Sequence, residues 1–139
     1  METNLKIEIK IAHLGFIQGV INRMGQNSFL LKGWSITLIA ALFALAAKDA
    51  NEQFALIAYI PTVVFWLLDA FFLHQEKLYR KLYEQVAEEI IDSSKFTLNT
   101  SVVRDSVEGY ASVILSKTLL PFYGLIILVN LFAMFCILT

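Results

Sequence analysis

From Thr118 to Thr139 the sequence carries no charged side chain, and this stretch constrains the fold more than any other. About 20 apolar residues suffice for a helix to cross a hydrocarbon core of about 30 Å. Two further stretches come close: Phe29–Ala47, interrupted by Lys32 alone, and Phe54–Leu73, interrupted by Asp69 alone. Both qualify if Lys32 and Asp69 lie near one membrane face. The chain is 58% hydrophobic and 17% charged, against about 25% charged in a soluble domain. The expected fold class is therefore an all-α integral membrane protein, with three transmembrane helices plus cytoplasmic amphipathic helices in a single helical membrane domain. Its expected parts are a cytoplasmic N-terminal helix (1–28), span 1 (29–47), span 2 (54–73), cytoplasmic helices (74–117) and span 3 (118–139).

The same composition excludes intrinsic disorder, which needs low hydrophobicity and high net charge. A net charge of -1 supplies no basic field for duplex DNA. Cys136 is the only cysteine, so neither an intrachain disulfide nor a thiolate zinc cluster can form. His13 and His74 lack metal-site spacing, and Glu88, Glu89 and Asp92 read as a solvated helix face. There is no Gly-rich phosphate loop, no G-x-S-x-G and no H-E-x-x-H. No catalytic residue, metal site or cofactor is expected.

Orientation follows from basic residues. Of the 11 lysines and arginines, only Lys48 lies outside when the N-terminus is placed in the cytoplasm, a strong positive-inside asymmetry. With three spans, the C-terminus is expected outside, almost flush with the membrane. Phe43–Ala47 resembles a signal-cleavage context, but the 28 residues before span 1 are too long for a normal n-region; span 1 is expected to be retained.

Lys48–Gln53 is expected to form a tight turn, making spans 1 and 2 antiparallel neighbours. Within residues 5–28, Ile7, Leu14, Ile21 and Ser28 recur every seven positions, as do Lys10, Ile17, Met24 and Leu31. That stripe suits an amphipathic helix packing on its own chain, or a self-associating coiled coil. Leu78, Leu82, Val86 and Ile90 mark a second amphipathic helix over Gln75–Ile91, continuing span 2 as one rod from Pro61 to Ile91. Residues 93–101 read as a turn, with caps at Asp92–Ser94 and Asn99–Ser101. A further helix is expected from Val102 to about Lys117, and Pro121 suits the first turn of span 3. Ile17, Ile21, Met24, Leu82 and Val86 exceed what one short chain can bury, which predicts a homo-oligomer.

Lys32 and Asp69 stand about one turn inside the cytoplasmic ends of antiparallel spans, so they share a depth. A charge at the bilayer centre costs about 2.5–3.5 kcal/mol on the insertion scale. The two either pair with each other or line a water-filled vestibule. Gly33, Thr37, Ala41 and Ala44 share one face of span 1, for close helix packing or for a narrow pore lining. Asn130 is expected to make an interhelical hydrogen bond, within the chain or between subunits, with Ile127 and Leu131 beside it as a hydrophobic constriction. Trp34, Trp66 and Tyr123 read as interfacial or packing aromatics. Arg80, Lys81, Lys95 and Arg104 are the cytoplasmic cations that an anionic ligand would need; ordinary topology charge explains them equally well.

Two runs carry a family resemblance. Ile21-Asn22-Arg23-Met24-Gly25-Gln26-Asn27-Ser28-Phe29-Leu30-Leu31-Lys32-Gly33-Trp34 leads straight into span 1. Span 2 closes on Phe65-Trp66-Leu67-Leu68-Asp69-Ala70-Phe71-Phe72-Leu73, followed by Gln75-Glu76-Lys77-Leu78-Tyr79-Arg80-Lys81-Leu82-Tyr83. Over Ile21–Tyr83 the chain resembles the small membrane effectors of bacterial anti-phage defence, of the SLATT-like or Hailong-type channel class; its third span departs from a two-span effector. The resemblance implies an oligomeric channel of the bacterial inner membrane, with its N-terminus cytoplasmic and its C-terminus periplasmic, acting in abortive infection. Lys32, Thr37, Asp69 and Asn130 would serve its pore or gate. A nucleotide or oligonucleotide made by a nucleotidyltransferase-type partner would control it. The alternative is a passive membrane anchor or subunit whose helix 75–91 docks a soluble partner.

Overall fold

A computed structural model describes residues 1–49 and 51–139, with the side chains of Glu52 and Leu138 outside the description. Five α-helices and a 3-10 turn follow in order: α1 (Glu2–Asp49), α2 (Glu52–Ile57), α3 (Tyr59–Ala87), the 3-10 turn (Ser101–Ser106), α4 (Tyr110–Ile114) and α5 (Leu120–Leu138). No strand occurs among the described residues. Three helical stretches, Glu2–Asp49, Gln53–Ala87 and Leu120–Ile137, are long and apolar enough to cross a membrane.

The N-terminal amphipathic segment and span 1 are one helix of 48 residues, about 70 Å long at 1.5 Å per residue. It runs unbroken through Gly15, Gly19, Gly25 and Gly33, although glycine costs about 1 kcal/mol in a helix interior. Packing against α3 along its length outweighs that cost. The two helices run antiparallel, in step: Lys10 pairs with Glu89 at 3.0 Å, and Ile17 and Ile21 pack on Leu78, Leu82 and Val86. Farther along, Ser28 and Lys32 meet Asp69. The series Ile21, Ser28 and Ser35 is buried as the spacing of seven requires, but Ile7 is exposed.

Several expectations are corrected here. Ile17, Ile21, Leu82 and Val86 are buried against one another and Val103 within a single chain, and Met24 is half-buried. They therefore supply no surplus apolar surface for an oligomer. The hairpin turn is shorter than Lys48–Gln53, because Asn51 caps α2 and its side chain accepts from the Gln53 N–H at 2.9 Å. Ala50, within the expected turn, lies outside the described residues. Within the stretch Gln53–Ala87 the helical hydrogen-bond pattern breaks at Ala58 alone, a residue that keeps helical dihedrals of φ -61 and ψ -22. Pro61 explains the break, since it has no N–H for the Ile57 carbonyl and its ring crowds that turn.

α3 ends at Ala87, short of Ile91, with Glu89 in the left-handed region at φ 61. The reversal returns Ile91 to the α1–α3 core. Residues 102–117 do not form one helix. The 3-10 turn inserts Val103 fully into that core, Val107 is extended, and α4 is only five residues long. Burying Val103 and Val113 in separate clusters requires the bend that a continuous helix would forbid. Pro121 lies in the first turn of α5 as expected.

Candidate functional site: a charged cluster joining three helices

Three helices meet at one carboxylate. Asp69 of α3 is fully buried. Its Oδ2 lies 2.6 Å from Lys32 Nζ of α1 and accepts the Tyr123 hydroxyl of α5 at 2.8 Å. Its Oδ1 accepts the Ser28 hydroxyl. Lys32 also donates to Ser28 Oγ at 2.9 Å. The Lys32 side chain is 21% exposed, and its ammonium stands 5.9 Å from the centre of the Phe122 ring, within cation–π range.

Local sequence explains each position. Ser28 and Lys32 are one turn apart on α1, so both face α3. Tyr123 lies in the first turn of α5, two residues after Pro121, and is fully buried. There the ring stacks on Trp66, with centroids 5.8 Å apart and planes 6° from parallel. Trp66 in turn donates its indole N–H to the Ile114 carbonyl at 2.9 Å. Tyr110 donates to the Leu67 carbonyl at 2.6 Å. These two bonds hold the α4 segment on α3, which delivers α5 to Asp69.

Chemically the cluster holds one negative and one positive charge, with every carboxylate oxygen accepting. Removing either charge would leave the other uncompensated in an apolar setting, the costly half of a buried ion pair. The arrangement can act as a clasp on three helices, and opening it would expose two charges at one level of the bundle.

The remaining expected site residues are not drawn into this cluster. Thr37 is exposed and donates to its own helix at the Gly33 carbonyl, 2.9 Å away. Gly33, Ala41 and Ala44 are exposed with it, so this face of small residues packs on nothing within the chain. Asn130 is fully buried, yet neither atom of its amide has a partner among the described residues; the expected interhelical hydrogen bond is absent there. Leu131 is exposed and Ile127 half-buried, so the two do not constrict the interior around Asn130.

Arg80 is paired with Glu76 at 2.7 Å and Lys81 with Glu84 at 3.1 Å, both within α3. Lys95 lies on the loop after α3 and Arg104 on the 3-10 turn; both are exposed. The four cations thus stand on three separate elements, two of them already engaged by carboxylates.

Sequence reasoning missed Ser28 as a ligand of Asp69, the Tyr123 bond, and His13. His13 is fully buried. Its Nε2–H donates to the Thr97 carbonyl at 2.7 Å, and Nδ1 lies 3.1 Å from Ser93 Oγ. Phe96, at φ 48, sets its ring edge-on to both His13 and Phe16. The loop over residues 88–100 is thereby strapped to α1. The only sequence signal was a histidine one turn from Ile17 on the buried stripe. Among the described residues no group of three or more His, Cys, Asp or Glu is placed to hold a metal.

No protein-family model, curated protein or solved structure matches this chain.

Proposed function

We propose that the chain is an integral protein of the bacterial inner membrane that assembles into a homo-oligomeric ion channel, with the Ser28–Lys32–Asp69–Tyr123 cluster as its shut gate. The observation that carries the reading is the inverted distribution of side chains. Over the apolar stretches most buried positions are small or polar, namely Ser35, Thr62, Asp69 and Asn130 with Ala46, Ala55, Ala58 and Ala70, while Ile39, Leu119 and Tyr123 are the large ones. The exterior presents Phe29 at 76%, Trp34 at 69%, Phe132 at 68% and Phe135 at 64% exposure. In water that surface would be an aggregation hazard. In lipid it faces its own solvent, while small and polar residues mediate helix contacts. A cytoplasmic N-terminus and a periplasmic C-terminus follow from the basic residues.

Three helices enclose no aqueous passage by themselves, so conduction needs several copies. The exposed face of Gly33, Thr37, Ala41 and Ala44 suits close approach between them. The resemblance over Ile21–Tyr83 supports a role in anti-phage defence. Control by a nucleotide or oligonucleotide from a partner enzyme is part of that proposal, with Arg80, Lys81, Lys95 and Arg104 as contacts. A passive anchor is the second reading, favoured by the complete pairing of the cluster. The test is mass in detergent together with ion flux from proteoliposomes. Several copies and measurable flux support the channel. A monomer without flux supports the anchor.

A further inference from the structure

Asn130 and Tyr59 raise a question that the gate does not answer. Among the described residues the Asn130 amide has no partner for Oδ1 or Nδ2, and the buried Tyr59 hydroxyl has none either. Register places them in one region. α5 runs antiparallel to α3, with Tyr123 on Asp69. Asn130 lies seven residues farther along α5, about 10 Å at 1.5 Å per residue. The same rise back along α3 from Asp69 reaches Thr62, and Tyr59 is one turn beyond it. There α3 begins at the break made by Pro61, where Thr62 Oγ1 donates to the Ala58 carbonyl at 2.8 Å. Proline leaves the Ile57 carbonyl without its helical donor. A carbonyl freed by proline at membrane depth is satisfied by a neighbouring helix, a Ser or Thr side chain, or ordered water.

The unpaired groups define what fits them. Asn130 needs both an acceptor and a donor, and so does a phenolic hydroxyl. A cation would satisfy oxygens only and leave Nδ2 unpaired. An anion would satisfy donors only and leave Oδ1 unpaired. Water does both, and buried water typically makes about three such bonds. We propose that ordered water occupies the junction of α2, α3 and α5 at Asn130 and Tyr59, a hydrated station within the membrane about 10 Å from the Asp69 cluster. This site rests on the membrane reading above. It would give the bundle interior a second polar station beyond the gate.

The test is water-edited solid-state NMR of the full chain in lipid bilayers, with 15N-labelled asparagine and leucine. The Asn130 side-chain signal is assigned by its loss in Asn130→Ala. The site predicts magnetisation transfer from water to the Asn130 amide several-fold faster than to the amide of Leu128, which is exposed on α5. Transfer at Asn130 as slow as at Leu128 overturns the site. Contact between Leu128 and lipid acyl chains reports insertion separately, so loss of that contact indicts the membrane reading instead. Asn130→Leu supplies a second readout. If water links Asn130 to Tyr59, the variant unfolds several-fold faster in detergent than wild type. If the amide is dry and unpaired, removing it slows unfolding, and the proposal fails. Should the variant not fold, the wild-type transfer rate decides alone.

Discussion

Asp69 is fully buried, whereas Lys32 keeps 21% of its side chain exposed, and this asymmetry decides how the pair responds to mutation. Lys32→Ala strands a buried carboxylate with only neutral donors, and should cost about 3–5 kcal/mol. Asp69→Ala should cost less, because the freed ammonium can extend toward the interface. The double variant should lose less than the sum of the two, with a coupling of about 0.5–3 kcal/mol. Unfolding in detergent checks the order; strictly additive losses would mean the pair is not formed. Tyr123→Phe keeps the stack on Trp66 but removes a bond to a charged group, worth about 1.5–3 kcal/mol. Lys32 and Asp69 were legible in the sequence because a charge inside an apolar stretch demands a partner. Ser28 and Tyr123 were not, since a serine on a heptad stripe and a tyrosine near a span end have common structural roles. Asp92 offers a titration test. The Ser94 hydroxyl, then the Ser94 N–H, hold its carboxyl below the usual range. A depressed aspartate contributes stability above its unfolded pKa, about 3.9, and loses it as pH falls through the folded value. Exchange protection at the Ser94 amide should therefore hold from neutral pH to about pH 4 and fall below it. In Asp92→Asn that acid step should vanish.

At the scale of elements, the strap is held by few contacts and two residues at positive φ, Glu89 and Phe96. Residues in sparsely populated backbone regions cost about 1–3 kcal/mol each and need surrounding structure to hold them. His13→Ala removes that support at Ser93 and Thr97. Amide exchange over residues 93–99 should accelerate about 5- to 100-fold, the equivalent of about 1–3 kcal/mol for stranded buried polar groups. α5 should be unaffected, because its anchor is Tyr123. Unchanged exchange over 93–99 would show that His13 does not hold the strap. The three apolar helices were legible from length and charge alone. The interruptions over residues 88–117 were not, because they follow from tertiary demands. Val103 must reach Leu82, Ile91 must return to the core, and α5 must start beside Asp69. Local propensity over Val102–Lys117 has no access to those distances. Pro61 carried the signal for the interruption at Ala58, but the apolar run over 54–73 reads as one span unless that proline is weighed.

For the whole molecule, the polar interior and apolar exterior tie topology to mechanism. If the three apolar spans are clasped together at Asp69, weakening the clasp without unfolding the bundle should raise conduction. Asp69→Asn is the suitable change: its single amide oxygen still accepts from one of the Ser28 and Tyr123 hydroxyls, its NH2 can only donate, and the charge that holds Lys32 is gone. The deciding measurement is ion flux from proteoliposomes containing wild type or Asp69→Asn at equal density, with insertion verified by protease protection of residues 74–117. The account predicts greater flux from Asp69→Asn than from wild type. Background flux from both, with both correctly inserted, would contradict it.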